Sequence, residues 1–163
     1  MKYNAWISTL FIGLVLFASP IKLFAQNHEN MAAKHIMINA AKLKWQQGPA
    51  SLPKGAQIAI LEGDMSKPEA FTVRLMLPAN YKVRPHWHPA IEHVTVIQGA
   101  FYMGTGEQFK ESAARKLSVG DFATMPVRNV HYAFTKGKTI VQLHGVGPWG
   151  ITYVNEADDP RKK

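Results

Sequence analysis

Between Ala56 and Asn155 the sequence sustains no helical period. β-rich runs of four to seven residues follow one another, and each is cut short by Gly, Pro, Asn or Asp. The clearest runs are Gln57–Leu61, Phe71–Leu77, Lys82–His88, Glu92–Gln98, Ala100–Met103, Arg115–Val119, Asp121–Met125, His131–Phe134, Thr139–His144 and Ile151–Val154. Short strands at this spacing argue an all-β barrel or sandwich. The stretch Glu107–Ala114 carries too weak a helical pattern to be more than an inter-strand loop. A single core is all that 163 residues comfortably support.

The chain ahead of this region is of another kind. Lys2 precedes Ala5 to Ala18, AWISTLFIGLVLFA, a run without a charge, and Ser19-Pro20 breaks it before Ala25. A basic start, an apolar middle and a small residue at the end describe a secretory signal peptide over residues 1–25. The run falls short of the ~20 residues that cross a bilayer. The expected mature protein is therefore periplasmic or secreted, with no stable membrane span. Residues 26–55 form an N-terminal extension whose Ala40–Trp45 reads as a short strand or turn, and GPASLPKG (48–55) reads as a loop. Residues 156–163 are a charged tail.

Composition narrows the chemistry. With no cysteine, disulfides, iron–sulfur clusters and thiolate ligands are excluded, so any metal must be held by nitrogen and oxygen. Removing Lys2 and Lys22 with the leader takes the net charge from +8 to +6 (8 − 2). The remaining cations are scattered without evident aromatic interleaving, which argues against nucleic acid as a partner.

Histidines concentrate in HWHPAIEHVTVIQG, residues 86–99. Alternate side chains of a strand share a face, so His86 and His88 project together while Trp87 points away. Pro85 and Pro89 bracket the pair and stiffen it. Glu92 opens the next strand and can offer a carboxylate from the neighbouring ladder position. By the same alternation His93 belongs to the opposite face from Glu92. A second segment, GDFATMPVRNVHYAF (120–134), brings His131 to the start of a further strand. Three imidazoles and one carboxylate leave one or two positions open on an octahedral ion, as catalytic or ligand-binding sites require. The ion would be divalent Fe, Mn, Ni or Zn. His144 is a candidate for orienting a ligand or substrate by a hydrogen bond, and Arg128 for attracting an anionic group at the mouth. Tyr102, Phe122, Met125, Tyr132, Trp149 and Tyr153 are either pocket lining or plain core.

These segments resemble the cupin superfamily. Its first motif, G-x5-H-x-H-x3,4-E-x6-G, is matched by His86, His88, Glu92 and Gly99, with Asn80 in place of the leading glycine. Its second, G-x5-P-x-G-x2-H-x3-N, is matched by Gly120, Pro126 and His131. Arg128 replaces the internal glycine and Thr135 the final asparagine. The stretch HGVGPWGITYVN (144–155) is similar to small single-domain cupins of the ChrR-like and DUF4437 kind. The resemblance implies one double-stranded β-helix (jelly-roll) barrel over residues 56–155, with His86, His88, Glu92 and His131 as metal ligands. It also implies dioxygenase-, isomerase- or decarboxylase-like chemistry on a small oxygen-bearing molecule, with Glu92 able to serve as base. A non-catalytic binding or sensing cupin is the alternative, and pairing through edge strands into a homodimer is a further implication. The absence of an N-terminal zinc-binding helical domain speaks against an anti-sigma role.

Overall fold

A computed structural model describes residues 35–163. The expected signal peptide and the start of the extension lie outside the described residues. Eleven strands appear in this order: β1 (Gln46–Gln47), β2 (Gln57–Glu62), β3 (Ala70–Leu77), β4 (Lys82–Trp87), β5 (Glu92–Gln98), β6 (Phe101–Thr105), β7 (Arg115–Leu117), β8 (Phe122–Met125), β9 (His131–Thr135), β10 (Thr139–Val146) and β11 (Thr152–Tyr153). They pair antiparallel in two sheets, ordered β1-β2-β3-β10-β5-β8 and β11-β4-β9-β6-β7.

Period-two alternation builds the interior. Along β3, Phe71, Val73, Leu75 and Leu77 are buried while Thr72, Arg74 and Met76 are not. Val94 and Val96 of β5 and Val141 and Leu143 of β10 repeat the pattern. Val83, Phe101, Met103 and Ala133 face them from the second sheet and close one apolar core.

Strand β4 departs from simple alternation. Val83 pairs with Ala133 and His86 with His131, so Arg84 and Pro85 together oppose Tyr132 alone. Proline has no N–H to give the ladder, and a bulge is where a strand tolerates it. The extra residue shifts the alternation by one. Val83 points inward on one side of the bulge, and His86 and His88 point inward on the other.

Two of the motif departures occupy a revealing conformation. Asn80 and Arg128 stand where cupin motifs place glycine, and both have φ of 58°. The left-handed backbone that favours glycine is thus kept with side chains that tolerate it less well. Thr135, in the motif's asparagine position, donates its hydroxyl to the Pro78 carbonyl at 2.6 Å and accepts the Tyr81 N–H at 3.1 Å.

The segments flanking the barrel are tied to it. Ala40–Lys42 forms a 3-10 turn capped by Asn39, and β1 adds to the edge of β2. The loop that follows is held by two buried tyrosines: Tyr81 donates to the Pro53 carbonyl and Tyr153 to that of Ser51. The charged tail is likewise anchored, because Arg161 grips Asp159 through two nitrogens and donates to the Ile151 carbonyl. Individual cations do meet aromatic rings in the fold. Lys82 and Arg84 lie over Phe109, Arg128 over Trp87 and Lys136 over Tyr102. These rings are covered by the chain's own cations. No helix of the described residues is long and apolar enough to cross a membrane.

Candidate metal centre

His86 of β4 and His131 of β9 are direct cross-strand partners, which sets their side chains next to each other inside the barrel. His88 follows two residues after His86, and Glu92 opens β5 after the Pro89–Ile91 turn. All four are buried. The imidazole centroids are 4.3 Å apart for His86–His131, 4.9 Å for His86–His88 and 5.0 Å for His88–His131. One nitrogen from each of the three rings lies within 4.8 Å of the other two. Nitrogens bound to one ion at about 2.0–2.1 Å stand at most about 4 Å apart, so the rings need close by only about an ångström.

Hydrogen bonds fix which nitrogen faces inward. The Nδ1 atoms of His86, His88 and His131 lie 2.6, 2.7 and 2.9 Å from the carbonyls of Arg84, Gly150 and Asn129. A carbonyl only accepts, so each Nδ1 carries the proton and donates it. Each Nε2 is left with its lone pair, the tautomer a metal needs. Oε2 of Glu92 lies 3.5 Å from Nε2 of both His88 and His131. An ionised carboxylate facing two lone pairs is repulsive unless a cation intervenes. His88 Nε2 is buried without a hydrogen-bond partner. Orphaned buried nitrogen is costly, and a metal ion relieves it. The donor set of nitrogen and oxygen fits divalent Fe, Mn, Ni or Zn.

The same surroundings shift the protonation equilibria. Burial, then the neighbouring His131 and His88, push the His86 pKa down to about 3. Burial pushes the Glu92 carboxyl up; only when His131 and His88 take a second proton, on Nε2, do their hydrogen bonds and charge outweigh it and hold Glu92 below the usual carboxylate range.

The cavity beside these groups is otherwise apolar, with Leu75, Val94, Val141, Leu143 and Ile151 among its walls. Leu52, from the N-terminal extension, reaches into it. Of the aromatic candidates only Trp149 lines it, with its indole stacked on His88 at 4.5 Å and 20°. Tyr132 and Tyr153 are buried, and Phe122 is largely exposed. Tyr102 stacks on Phe134.

His144 is not brought to the imidazole cluster. On β10 it alternates with Leu143, which lines the cavity, and it stacks at 4.8 Å on His93 over a separate surface depression. A hydrogen bond from His144 to a ligand of the cluster is therefore not available in this arrangement. His93 shares that outer face, as strand alternation requires. Arg128 sits over the outer Trp87 ring, while its backbone N–H donates to the His88 carbonyl at 2.9 Å. The sequence reading grouped Trp149 with five other aromatics. Its stack on His88 spans 61 positions, and no local spacing announces it.

Comparison with known proteins agrees with this architecture. The polyketide cyclase RemF from Streptomyces resistomycificus superposes with a TM-score of 0.65 at 14% identity, covering 79% of this chain and 92% of that one. A candidate acetylacetone dioxygenase from Methylibium petroleiphilum PM1 gives 0.58 at 16% identity, covering 78% and 85%. An RmlC-like cupin from Shewanella frigidimarina gives 0.54 at 14%, covering 71% and 94%. At these identities the likeness is one of fold. No curated protein matches the sequence. The family described as Domain of unknown function (DUF4437) matches residues 22–148, most of the chain. With the two-sheet barrel and its buried histidines in place, the chain belongs to the DUF4437 family, and its fold is similar to that of an RmlC-like cupin.

Proposed function

We propose that this chain is an exported, metal-dependent cupin enzyme that acts on a small oxygen-bearing organic molecule by dioxygenase- or isomerase-type chemistry. His86, His88, His131 and Glu92 hold one divalent ion. The observation that carries this reading is the common tautomer of the three buried imidazoles. Each spends its Nδ1 proton on a backbone carbonyl, and the Nε2 atoms converge beside a carboxylate. A structural ion would be enclosed by its ligands, whereas this one borders a cavity.

The bound ion supplies Lewis acidity toward a substrate oxygen, and redox chemistry if it is iron. The chain's own groups do the rest. The carbonyls of Arg84, Gly150 and Asn129 keep the imidazoles oriented. The aliphatic walls exclude water and embrace the apolar part of the substrate. Glu92 is ionised at neutral pH and is a feeble base while His88 and His131 press against it. Its first role is as a ligand, and it accepts a substrate proton only when freed from that duty. Same-fold proteins named for polyketide cyclisation and acetylacetone oxidation support a substrate with several oxygens. The apolar run and cleavage-like residues 5–25 support export.

The test is metal analysis of protein purified from its native compartment, followed by turnover assays of each metallated form against small diketones and catechol-like compounds. One equivalent of metal with turnover of a panel member is expected. Metal with binding but unchanged compound would favour a binding protein, and absence of metal would refute the reading.

A further inference from the structure

Two buried side-chain nitrogens among the described residues have no hydrogen-bond partner: Nε2 of His88 and Nε1 of Trp149. They belong to rings stacked on each other, and both residues line the same cavity. The first is accounted for by the metal. The second is of the opposite kind, because an indole nitrogen carries a proton and can only donate. Burying such a donor unpaired is costly. Tyr81, Tyr132 and Tyr153 each find a carbonyl for their hydroxyls, which makes the Trp149 orphan an exception within its own protein.

Trp149 is held firmly where it is. Its backbone N–H donates to the Met65 carbonyl at 2.7 Å, and Gly147 N–H donates to that of Glu69 at 2.9 Å. The next residue, Gly150, supplies the carbonyl that receives the His88 Nδ1 proton. The backbone that carries the indole is thus anchored on both sides of it, and the ring itself is stacked on His88.

We infer that the Trp149 indole N–H is the hydrogen-bond donor for the molecule that occupies the cavity, and that this molecule is small and largely apolar with two nearby oxygens. One oxygen meets the metal side of the site and the other accepts from Trp149; this assignment rests on the metal-centre reading above. The walls set the rest of the class. The cavity is about 40 Å³, room for roughly three waters at about 10–15 Å³ each. No lysine or arginine lines it, so a phosphate or second carboxylate would find no fixed cation.

The probe is 3-hydroxybutan-2-one, uncharged and small, with adjacent hydroxyl and carbonyl oxygens. Uniformly 15N-labelled full chain loaded with diamagnetic zinc is titrated with it, and the Trp149 indole N–H cross-peak is identified by its absence from Trp149→Phe. A downfield move of that peak at saturation is expected. Trp149→Phe, which keeps an aromatic ring over His88, should bind the probe about three- to tenfold more weakly with its metal content intact. An unmoved peak, equal affinity in Trp149→Phe, or no binding of the probe overturns the assignment. If Trp149→Phe sheds its metal, the wild-type cross-peak alone decides. Wild type that takes up no metal would refute the metal reading separately, since the cross-peak can still be followed in that protein.

Discussion

Nε2 of His88 and Oε2 of Glu92 face each other across 3.5 Å, and with the His88 Nδ1 donating to Gly150 a neutral ring has no proton left for the carboxylate. Two acceptors at that separation inside a barrel define a place for a cation. His88→Ala and His131→Ala should each weaken metal binding by more than the ~10–100-fold typical of losing an outer-shell partner. Equilibrium dialysis against a competing chelator measures this directly. Unchanged affinity in either variant would show that the ion, if any, is held elsewhere.

Acid should destabilise the metal-free protein well above the pH at which ordinary carboxylates titrate. His86 takes its proton near pH 3 in the fold and near its ordinary 6.5 when unfolded. Between those values the unfolded chain binds more protons, so stability rises with pH across the window and is lost as pH falls through it. Glu92, held below its ordinary 4.5, acts in the same direction at lower pH. Urea midpoints of the metal-free protein should decline from pH 6.5 toward 4, and His86→Gln should flatten that decline. An equally steep decline in the variant would contradict the assignment to His86.

Arg128 carries a backbone cost that glycine would not. Left-handed φ costs an ordinary residue about 1–2 kcal/mol, and Arg128 recovers about 0.5–1 kcal/mol by lying 5.5 Å over Trp87. Its backbone N–H to the His88 carbonyl survives substitution. Arg128→Gly should therefore stabilise the protein by up to about 1 kcal/mol in denaturant titrations. A loss of stability would mean that the guanidinium does more than cover the ring.

Thr135 joins two loops through one hydroxyl. Valine fills the same volume but strands the Pro78 carbonyl and the Tyr81 N–H, both bonded to that oxygen. With each orphan costing about 1–3 kcal/mol, Thr135→Val should lose at least about 2 kcal/mol, while metal stoichiometry holds. Calorimetric unfolding and metal analysis read the two quantities independently.

The strand rhythm and the grouping of His86, His88 and Glu92 were legible because both are local patterns, whereas His131 was reached only through the second motif. His86, His88 and Glu92 fall within seven positions, and alternation correctly sent His93 to the outer face. The bulge at Arg84-Pro85 was not legible. It reverses the alternation between Val83 and His86, and only the pairing with β9 reveals it. Alternation along β10 also gave no sign of which face His144 would take relative to the cluster; that depends on which sheet covers which. Asn80, Arg128 and Thr135 read as departures from a motif. In the fold, Asn80 and Arg128 keep the glycine backbone conformation, and Thr135 ties two loops where the motif has asparagine. The position of Trp149 was hidden by distance along the chain, since its partner His88 lies on the far side of six strands.

The segment Gly147–Gly150 has a mechanical consequence. One short span of backbone bears both the carbonyl that steers His88 and the indole that roofs it. A guest that shifts this span strains the bond that steers His88, so filling the chamber is felt at that imidazole.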